Sequence, residues 1–281
     1  LWPGQSGRKI IVEKNRMQDL RTIRTRILTA VALLVPAVLL ILAGGVARQG
    51  LCAIIVALMV HEYYSCFVTR SASRQLVLTG INLLMLAGYL LHGASGFMFG
   101  FSLAVMLTFI VFVLLVESRP HQPNFEDTLP AALIGLCYPG MLGTMLLAAC
   151  RAESALILWL LVTVISTDTF AYFGGSAIGG SKLAARISPN KTISGTLCGL
   201  GAGVLASMLY AYFTGIPGHL VSFALFGFIA AVLAVFGDLA ESLLKRVYGV
   251  KDTGRLLPGH GGILDRLDAL LFAAPVLLFF A

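Results

Sequence analysis

The sequence predicts an all-α protein that crosses a membrane several times, and three observations support this fold class. Of its 281 residues, 58% are hydrophobic and 12% are charged, roughly half the charged fraction of ordinary soluble domains. The mean hydropathy is +0.91. Residues 75–116 and 192–237 contain no Lys, Arg, Asp or Glu, and each stretch can hold two spans of about 20 residues. Together these observations exclude a soluble domain, a disordered chain and a coiled coil.

Turn-forming residues divide each uncharged stretch into two spans. The first stretch is interrupted by His-Gly-Ala-Ser-Gly at 92–96 and the second by Thr-Gly-Ile-Pro-Gly at 214–218. The same criteria applied to the whole chain predict nine spans, near 27–45, 50–68, 75–92, 97–116, 129–149, 154–174, 194–213, 219–239 and 263–280.

The distribution of basic residues predicts the orientation of these spans. Cytoplasmic loops of membrane proteins carry an excess of Lys and Arg. If the N-terminus is cytoplasmic, all but two of the 20 Lys and Arg residues, Arg48 and Arg151, fall on the cytoplasmic side. We therefore predict a cytoplasmic N-terminus. The formal charge of +7 is largely explained by this topology.

Small residues in the seventh span predict a close contact between helices. Gly195, Gly199 and Gly203 recur every four residues, so they form a face of the helix that another helix can approach closely. The five cysteines lie in or beside apolar runs and include no Cys-x-x-Cys pair. They are interpreted as small apolar residues.

Five acidic residues lie within predicted spans, where ionisable groups are costly and therefore candidates for function. They are Glu62, Asp168, Asp238, Asp265 and Asp268. The last four lie at predicted cytoplasmic ends of spans and are expected to cluster. Grouped carboxylates suit Mg²⁺, but an ion-pair network with Lys245, Arg246 and Arg266 explains them equally well. Glu62 stands apart, and a buried acid hydrogen-bonded between helices is the simpler interpretation of it.

Two basic loops flank these acids. The segment 251–262, Lys-Asp-Thr-Gly-Arg-Leu-Leu-Pro-Gly-His-Gly-Gly, is rich in glycine and precedes a predicted helix. Its backbone N–H groups and the positive end of that helix favour phosphate binding, whereas a solvated loop is the alternative. The segment 181–192 is predicted as a short amphipathic piece with Lys182, Arg186 and Lys191. These cations either bind phosphate or only anchor the loop at the membrane.

The C-terminal part of the chain resembles the phosphatidate cytidylyltransferases, also called CDP-diacylglycerol synthases. Ser242-Leu-Leu-Lys-Arg246, Lys251-Asp252 and the run from Leu257 to Asp268, Leu-Pro-Gly-His-Gly-Gly-Ile-Leu-Asp-Arg-Leu-Asp, are similar to that family's signature. Asp-Thr-Phe-Ala-Tyr at 168–172 and Ser-Pro-Asn-Lys-Thr at 188–192 are also similar to its motifs. Two departures are Ser194, where the family usually has Glu, and Thr253, where Ser is common.

This resemblance implies an enzyme that condenses CTP with phosphatidic acid to give CDP-diacylglycerol and pyrophosphate. It implies a multi-pass protein of the bacterial inner membrane, surrounded by membrane lipids, with its active site facing the cytoplasm. It also implies a homodimer, a requirement for Mg²⁺ with a monovalent cation such as K⁺ able to share the site, and no nucleic-acid partner. The expected organisation is a cytoplasmic tail at 1–26, a transmembrane scaffold of about five helices at 27–150, and a catalytic transmembrane domain of about four helices at 151–281.

The resemblance also implies roles for individual residues. Asp238 and Asp265 are the expected metal ligands. The expected catalytic residues are Asp238, Asp265, Asp268, Lys251 and His260. The expected substrate-binding residues are Asp168, Asn190, Lys191, Lys245, Arg246, Asp252, Gly261, Gly262 and Arg266.

Other functions remain compatible with the residue types alone. A CTP-dependent polyprenol kinase would use a similar triphosphate site but transfer the γ-phosphoryl group to an alcohol. A cation-coupled transporter would use membrane acids as ion sites, although such sites usually lie near the membrane midplane. A scaffold that has lost its catalytic role is a third possibility, suggested by Ser194.

The predicted orientation can be tested by labelling single cysteines in a variant without the five native ones. In sealed vesicles with the outer face exposed, we expect a membrane-impermeant maleimide to label Arg151→Cys. Arg186→Cys should react only after the membrane is permeabilised, because the positive-inside distribution places it on the other side. The reverse pattern would contradict the predicted topology.

Overall fold

The computed structural model describes residues 38–39, 41–118, 125–254, 256 and 261–280, and these are mainly helical. The elements in chain order are α1 Gly45–Phe67, α2 Ala72–Ser118, α3 Phe125–Gly135, a π-helical segment Leu136–Met141, α4 Leu142–Ala149, α5 Ser154–Ile178, β1 Lys182–Ala184, β2 Ser188–Thr192, α6 Ile193–Thr214, α7 Leu220–Val247, α8 Leu264–Ala273 and a 3₁₀-helix Ala274–Phe279. Among the described residues, six helical segments are long and apolar enough to cross a membrane. The predicted class of all-α polytopic membrane protein is confirmed.

The predicted break within the first uncharged stretch lies inside α2. The backbone leaves helical geometry at Gly93, with φ of 63° and ψ of −139°. The backbones on either side of this break lie in contact. A side chain at Gly88 would overlap the backbone of Gly96, and one at Gly100 would overlap that of Leu84. This antiparallel contact shows that α2 folds back on itself, so its two halves correspond to the predicted spans 75–92 and 97–116.

The first and last predicted spans have different outcomes. Most of the span 27–45, like the tail 1–26, lies outside the described residues. The predicted span 263–280 consists of ten-residue α8 and the six-residue 3₁₀-helix, and it is not among the six long apolar segments. Pro275 at the start of the 3₁₀-helix lacks an N–H, which accounts for the end of α-helical hydrogen bonding there. The count of nine spans therefore stays a prediction.

The predicted glycine face of α6 is confirmed. Side chains at Gly195 and Gly199 would overlap the backbone of α5, at Ala171 and Thr167 respectively, and one at Gly203 would overlap the Thr167 hydroxyl. The two backbones therefore lie in direct contact, which places the C-terminal half of α5 beside the start of α6.

The segment 181–192 differs from the amphipathic piece predicted for it. It forms an antiparallel hairpin in which Lys182 pairs with Thr192 and Ala184 with Ser188. Pro189 disfavours a helix here because proline removes a helical hydrogen bond. The hairpin leads directly into α6, because Thr192 caps this helix by accepting a hydrogen bond from the Gly195 N–H at 3.1 Å.

Short helix α8 lies in the interior of the bundle. Its Leu264 and Leu271 are fully buried, as are Tyr63 of α1 and Trp159 of α5. Helix α8 contacts α1, α5 and α7. Its N-terminal end is consequently surrounded by elements from both halves of the chain.

The contact between α5 and α6 generates a stability prediction with a control on the same helix. Gly199→Leu would force α5 and α6 apart, and overpacking of this kind costs about 1–3 kcal/mol. We expect a lower melting temperature of the detergent-purified protein. Gly201→Leu is the control, because a side chain at Gly201 meets no atom within 4 Å. Equal melting temperatures for the two variants would contradict the contact.

Candidate active site

A cavity of about 790 Å³ lies where α5, the β-hairpin, α7 and α8 meet. Four structural elements contribute ionisable groups to it. These groups are Asp168 from α5, Lys182 and Lys191 from the hairpin, Asp238, Glu241 and Lys245 from α7, and Asp265, Arg266 and Asp268 from α8. Five carboxylates and four cations therefore line one cavity, and Asn190 and Thr192 add neutral polar groups.

Lys245 joins α7 to α8 across this cavity. Its Nζ lies 2.6 Å from Glu241 Oε2, one helical turn earlier, and 2.9 Å from Asp265 Oδ1. The Glu241 side chain is 1% exposed and that of Asp265 is 6% exposed. Because buried carboxylates are costly unless they are paired, Lys245 balances charge that the fold would otherwise leave uncompensated.

Lys191 makes the corresponding link between the hairpin and α7. Its Nζ lies 2.5 Å from Asp238 Oδ2, and both side chains remain partly exposed. Asp238 Oδ1 also accepts a hydrogen bond from Ser242 at 3.3 Å. Asp238 is thus paired with Lys191 but remains partly accessible from the cavity.

Asp265 organises the glycine-rich segment that precedes α8. Its Oδ2 accepts hydrogen bonds from the backbone N–H groups of Thr253 at 3.0 Å and Gly262 at 2.9 Å. It lies in the first turn of α8, where the helix dipole favours negative charge.

The same contacts determine the protonation state of Asp265, which lies outside the six long apolar segments. Burial raises its pKa, but the surrounding groups, among them the hydrogen bonds donated by the Gly262 N–H, Lys245 and the Thr253 N–H, outweigh burial and lower the pKa to about 2. This carboxyl group is therefore ionised at neutral pH.

The remaining two cavity acids are Asp268 of α8 and Asp168 of α5. Asp268 is buried, and its Oδ1 accepts a hydrogen bond from the Ala269 N–H at 2.7 Å. Gly237 of α7 lies against the backbone of Asp268, where a side chain would overlap it. Asp168 enters the cavity from α5. The predicted clustering of Asp168, Asp238, Asp265 and Asp268 is what the structure shows.

Several residues expected at the site do not line the cavity. Arg246 donates from Nε to the Ile187 carbonyl at 3.2 Å, at the turn of the hairpin. Gly262, expected to offer its N–H to a phosphate, donates it to Asp265 instead. Lys251, Asp252 and Gly261 belong to the segment before α8 and are absent from the cavity lining. His260 lies outside the described residues.

Glu241 is the main site residue that the sequence analysis did not select. It lies just beyond the predicted span 219–239, whereas the structure buries it in the cavity wall. Its spacing was the available signal, because it follows Asp238 by three residues and precedes Lys245 by four, which places all three on one helix face.

Glu62 is a buried acid with several hydrogen bonds, as the simpler of its two interpretations from the sequence predicts. Its side chain accepts hydrogen bonds from the Thr253 hydroxyl, from the Ile263 N–H at 2.9 Å and from the Leu264 N–H at 3.3 Å. It therefore contacts the segment before α8 rather than the cavity.

The donor set suits a hard divalent cation such as Mg²⁺. Among the described residues, no three His, Cys, Asp or Glu side chains are close enough to hold a metal ion on their own. Mg²⁺, however, commonly takes one or two carboxylates and completes its shell with water and substrate phosphates. Asp238 and Asp265 offer such carboxylates, and Glu241 Oε1 is buried without a hydrogen-bond partner. The residues fit the cation in this sense.

The fold and this cavity define a multi-pass membrane protein with a charged, phosphate-compatible site near one end of its helical bundle. The sequence profile of the Cytidylyltransferase family matches residues 24–281. The chain therefore belongs to this family of nucleotidyltransferases, and the predicted resemblance is confirmed.

Three similar proteins are named phosphatidate cytidylyltransferase. A phosphatidate cytidylyltransferase from Brucella abortus biovar 1 (strain 9-941) is 36% identical over 92% of this chain and 93% of that protein. One from Helicobacter pylori (strain J99) is 47% identical over 53% of this chain and 57% of that protein. One from Synechocystis sp. is 29% identical over 91% of this chain and 95% of that protein.

The pairing of Lys245 generates a stability prediction. Lys245→Met removes the cation shared by two buried carboxylates, and breaking a buried pair costs about 3–5 kcal/mol. We expect a clear loss of unfolding free energy for this variant in detergent. In the double variant Glu241→Gln/Lys245→Met the loss should be smaller than in Lys245→Met, since one uncompensated charge is removed. Additive losses would contradict the pairing.

Proposed function

We propose that this protein is a phosphatidate cytidylyltransferase, which condenses CTP with phosphatidic acid to form CDP-diacylglycerol and pyrophosphate. Its family and its relatives support this activity. The structural observation that carries the proposal is the cavity at α5, α7 and α8, where cations from three elements converge on a group of carboxylates. Such a cavity suits two anionic reactants that must be brought together.

The cations of the cavity are suited to phosphate groups. Lys182 and Lys191 lie on the hairpin and Lys245 and Arg266 on α7 and α8, so they approach the cavity from different sides. Lys191 and Lys245 are now paired with Asp238 and Asp265. We propose that they redirect part of their interaction to phosphate oxygens when substrates bind, with Asn190 and Asp168 contributing polar contacts.

The carboxylates are suited to a metal ion. In this proposal Asp238 and Asp265 hold Mg²⁺, with Asp268 beside them and a monovalent cation such as K⁺ able to share the site. The bound metal would neutralise phosphate charge as a Lewis acid. The ionised state of Asp265 supports this assignment. The roles expected for Lys251, His260, Arg246, Asp252, Gly261 and Gly262 stay predictions.

The proposed reaction is an in-line displacement at phosphorus. An oxygen of the lipid phosphate attacks the α-phosphorus of CTP, a new P–O bond forms, and the bond to the β-phosphate oxygen breaks to release pyrophosphate. A phosphate oxygen is already anionic, so no general base is needed for the attack. The protein contributes positioning and charge neutralisation, which are the main sources of catalysis in phosphoryl-group chemistry. Lys245 and Arg266 are placed to stabilise charge that gathers on pyrophosphate.

Exposed aromatic side chains on α5 indicate where the lipid substrate could reach the cavity. Tyr172 lines the cavity and is 70% exposed, and Phe170 and Phe173 beside it are also exposed. Aromatic side chains on the lipid side of a helix suit acyl chains and the membrane interface. We propose that phosphatidic acid enters from the membrane past α5, while CTP enters from the cytoplasm.

The cellular setting is proposed on the same basis. The protein is a multi-pass membrane protein with bacterial relatives, which supports a location in the inner membrane. A cytoplasmic active site agrees with the predicted positive-inside orientation. The expected homodimer stays a prediction.

The function is tested with purified protein, CTP labelled at the α-phosphate, phosphatidic acid and Mg²⁺. We expect labelled lipid and pyrophosphate in equal amounts. Asp265→Asn should lower the rate roughly 100-fold or more, because it removes the negatively charged carboxylate that is proposed to hold Mg²⁺ at the site. Glu153→Gln is the matched control, since Glu153 is exposed at the other end of α5.

The possible outcomes separate the candidates. Release of CDP with phosphorylated lipid would indicate a kinase. No turnover at all would contradict enzymatic function under these conditions, and full activity of Asp265→Asn would contradict the assigned site.

A further inference from the structure

Among the described residues of the first half of the chain, Glu62 is the acid that contacts the segment leading into α8. It lies on α1, one to two turns before that helix ends at Phe67. It is separated from its partner Leu264 by 202 residues along the chain. Its side chain is almost completely buried, at 3% exposure. A carboxylate in such a position needs several donors to offset its lost hydration.

The donors to Glu62 all belong to the segment that also binds Asp265. Glu62 Oε1 accepts from the Thr253 hydroxyl and from the Leu264 N–H at 3.3 Å, and Oε2 accepts from the Ile263 N–H at 2.9 Å. Asp265 Oδ2 accepts from the N–H groups of Thr253 and Gly262. Thr253 is therefore bound to one carboxylate through its hydroxyl and to the other through its backbone.

Close packing reinforces these hydrogen bonds. A side chain at Gly262 would overlap Glu62 Oε1, and one at Gly254 would lie 2.7 Å from Glu62 Cδ. The backbone at 253–254 and 262–264 is consequently pressed against the Glu62 carboxylate. Displacing Glu62 would release this backbone and with it the donors that orient Asp265.

We propose that Glu62 is a positioning residue for Asp265, fixing the backbone of 253–254 and 262–264 so that the Asp265 carboxylate is presented to the cavity. This proposal rests on the proposed function of Asp265 as a metal ligand for cytidylyl transfer. Glu62 does not line the cavity, so it acts on the reaction through the Asp265 carboxylate. The N-terminal scaffold thereby contributes directly to the geometry of the C-terminal site.

The decisive variant is Glu62→Gln, which keeps the shape of the side chain. A Gln side chain has one acceptor oxygen, and its NH₂ group must face either Ile263 N–H or Leu264 N–H. In either orientation a buried backbone donor loses its acceptor. The free-energy cost of an unsatisfied buried donor corresponds to roughly one or two factors of ten. We therefore expect kcat to fall roughly tenfold or more. The Mg²⁺ concentration that gives half-maximal activity should rise, while KM for CTP changes little.

Thr253 provides a matched pair of variants. Thr253→Val removes the hydroxyl donor to Glu62 but keeps the backbone N–H that binds Asp265. Thr253→Ser keeps both. We expect Thr253→Val to shift kcat and the Mg²⁺ dependence in the same direction as Glu62→Gln, and Thr253→Ser to behave like the unmodified protein.

Hydrogen–deuterium exchange of the full-length protein in detergent supplies a readout independent of turnover. Peptides that cover 250–264 should exchange faster in Glu62→Gln and Thr253→Val, whereas peptides from α5 and α6 should not change. Normal exchange in 250–264, or normal kcat and Mg²⁺ dependence in the folded Glu62→Gln protein, would overturn the proposal. If the unmodified protein transfers no cytidylyl group, the proposed function fails, and the exchange measurement alone then decides whether Glu62 fixes this backbone.

Discussion

Buried carboxylates in an apolar bundle require cations or hydrogen-bond donors, and this requirement organises one end of the molecule. Glu241 and Asp265 share Lys245, which joins α7 to α8. Asp238 takes Lys191, which joins the hairpin to α7. Because an unpaired charge at buried Glu241 or Asp265 would cost several kcal/mol, α7 and α8 are held in the arrangement that forms the cavity.

The pairing that stabilises the fold also prepares it for anionic substrates. Lys191 and Lys245 already face carboxylates, so in the proposed mechanism incoming phosphate oxygens and a divalent cation exchange with existing partners rather than with water. Asp265 and Glu62 bind the backbone before α8 from two sides. Hydrogen bonds from both halves of the chain thus hold the backbone around the proposed metal ligand.

Sequence pattern predicted the features that depend on local spacing. Uncharged stretches located the long helices, the four-residue glycine spacing located the contact of α6 with α5, and the acids at span ends located the cavity. Contacts between distant segments were not predictable, because nothing local in the sequence connects Glu62 with Leu264. Glu241 was missed because its burial depends on how α7 and α8 pack. The β-hairpin at 182–192 was missed because short polar segments that contain proline have no clear periodicity.

The most direct measurement is an experimental structure of the full-length protein with CDP-diacylglycerol and Mg²⁺ bound. The proposed mechanism predicts that the diphosphate of this lipid occupies the cavity between α5, α7 and α8, in contact with Lys191 or Lys245 and near Asp238 and Asp265. Density for the diphosphate elsewhere on the protein, with both lysines still paired to their carboxylates, would contradict the assignment of this cavity as the active site.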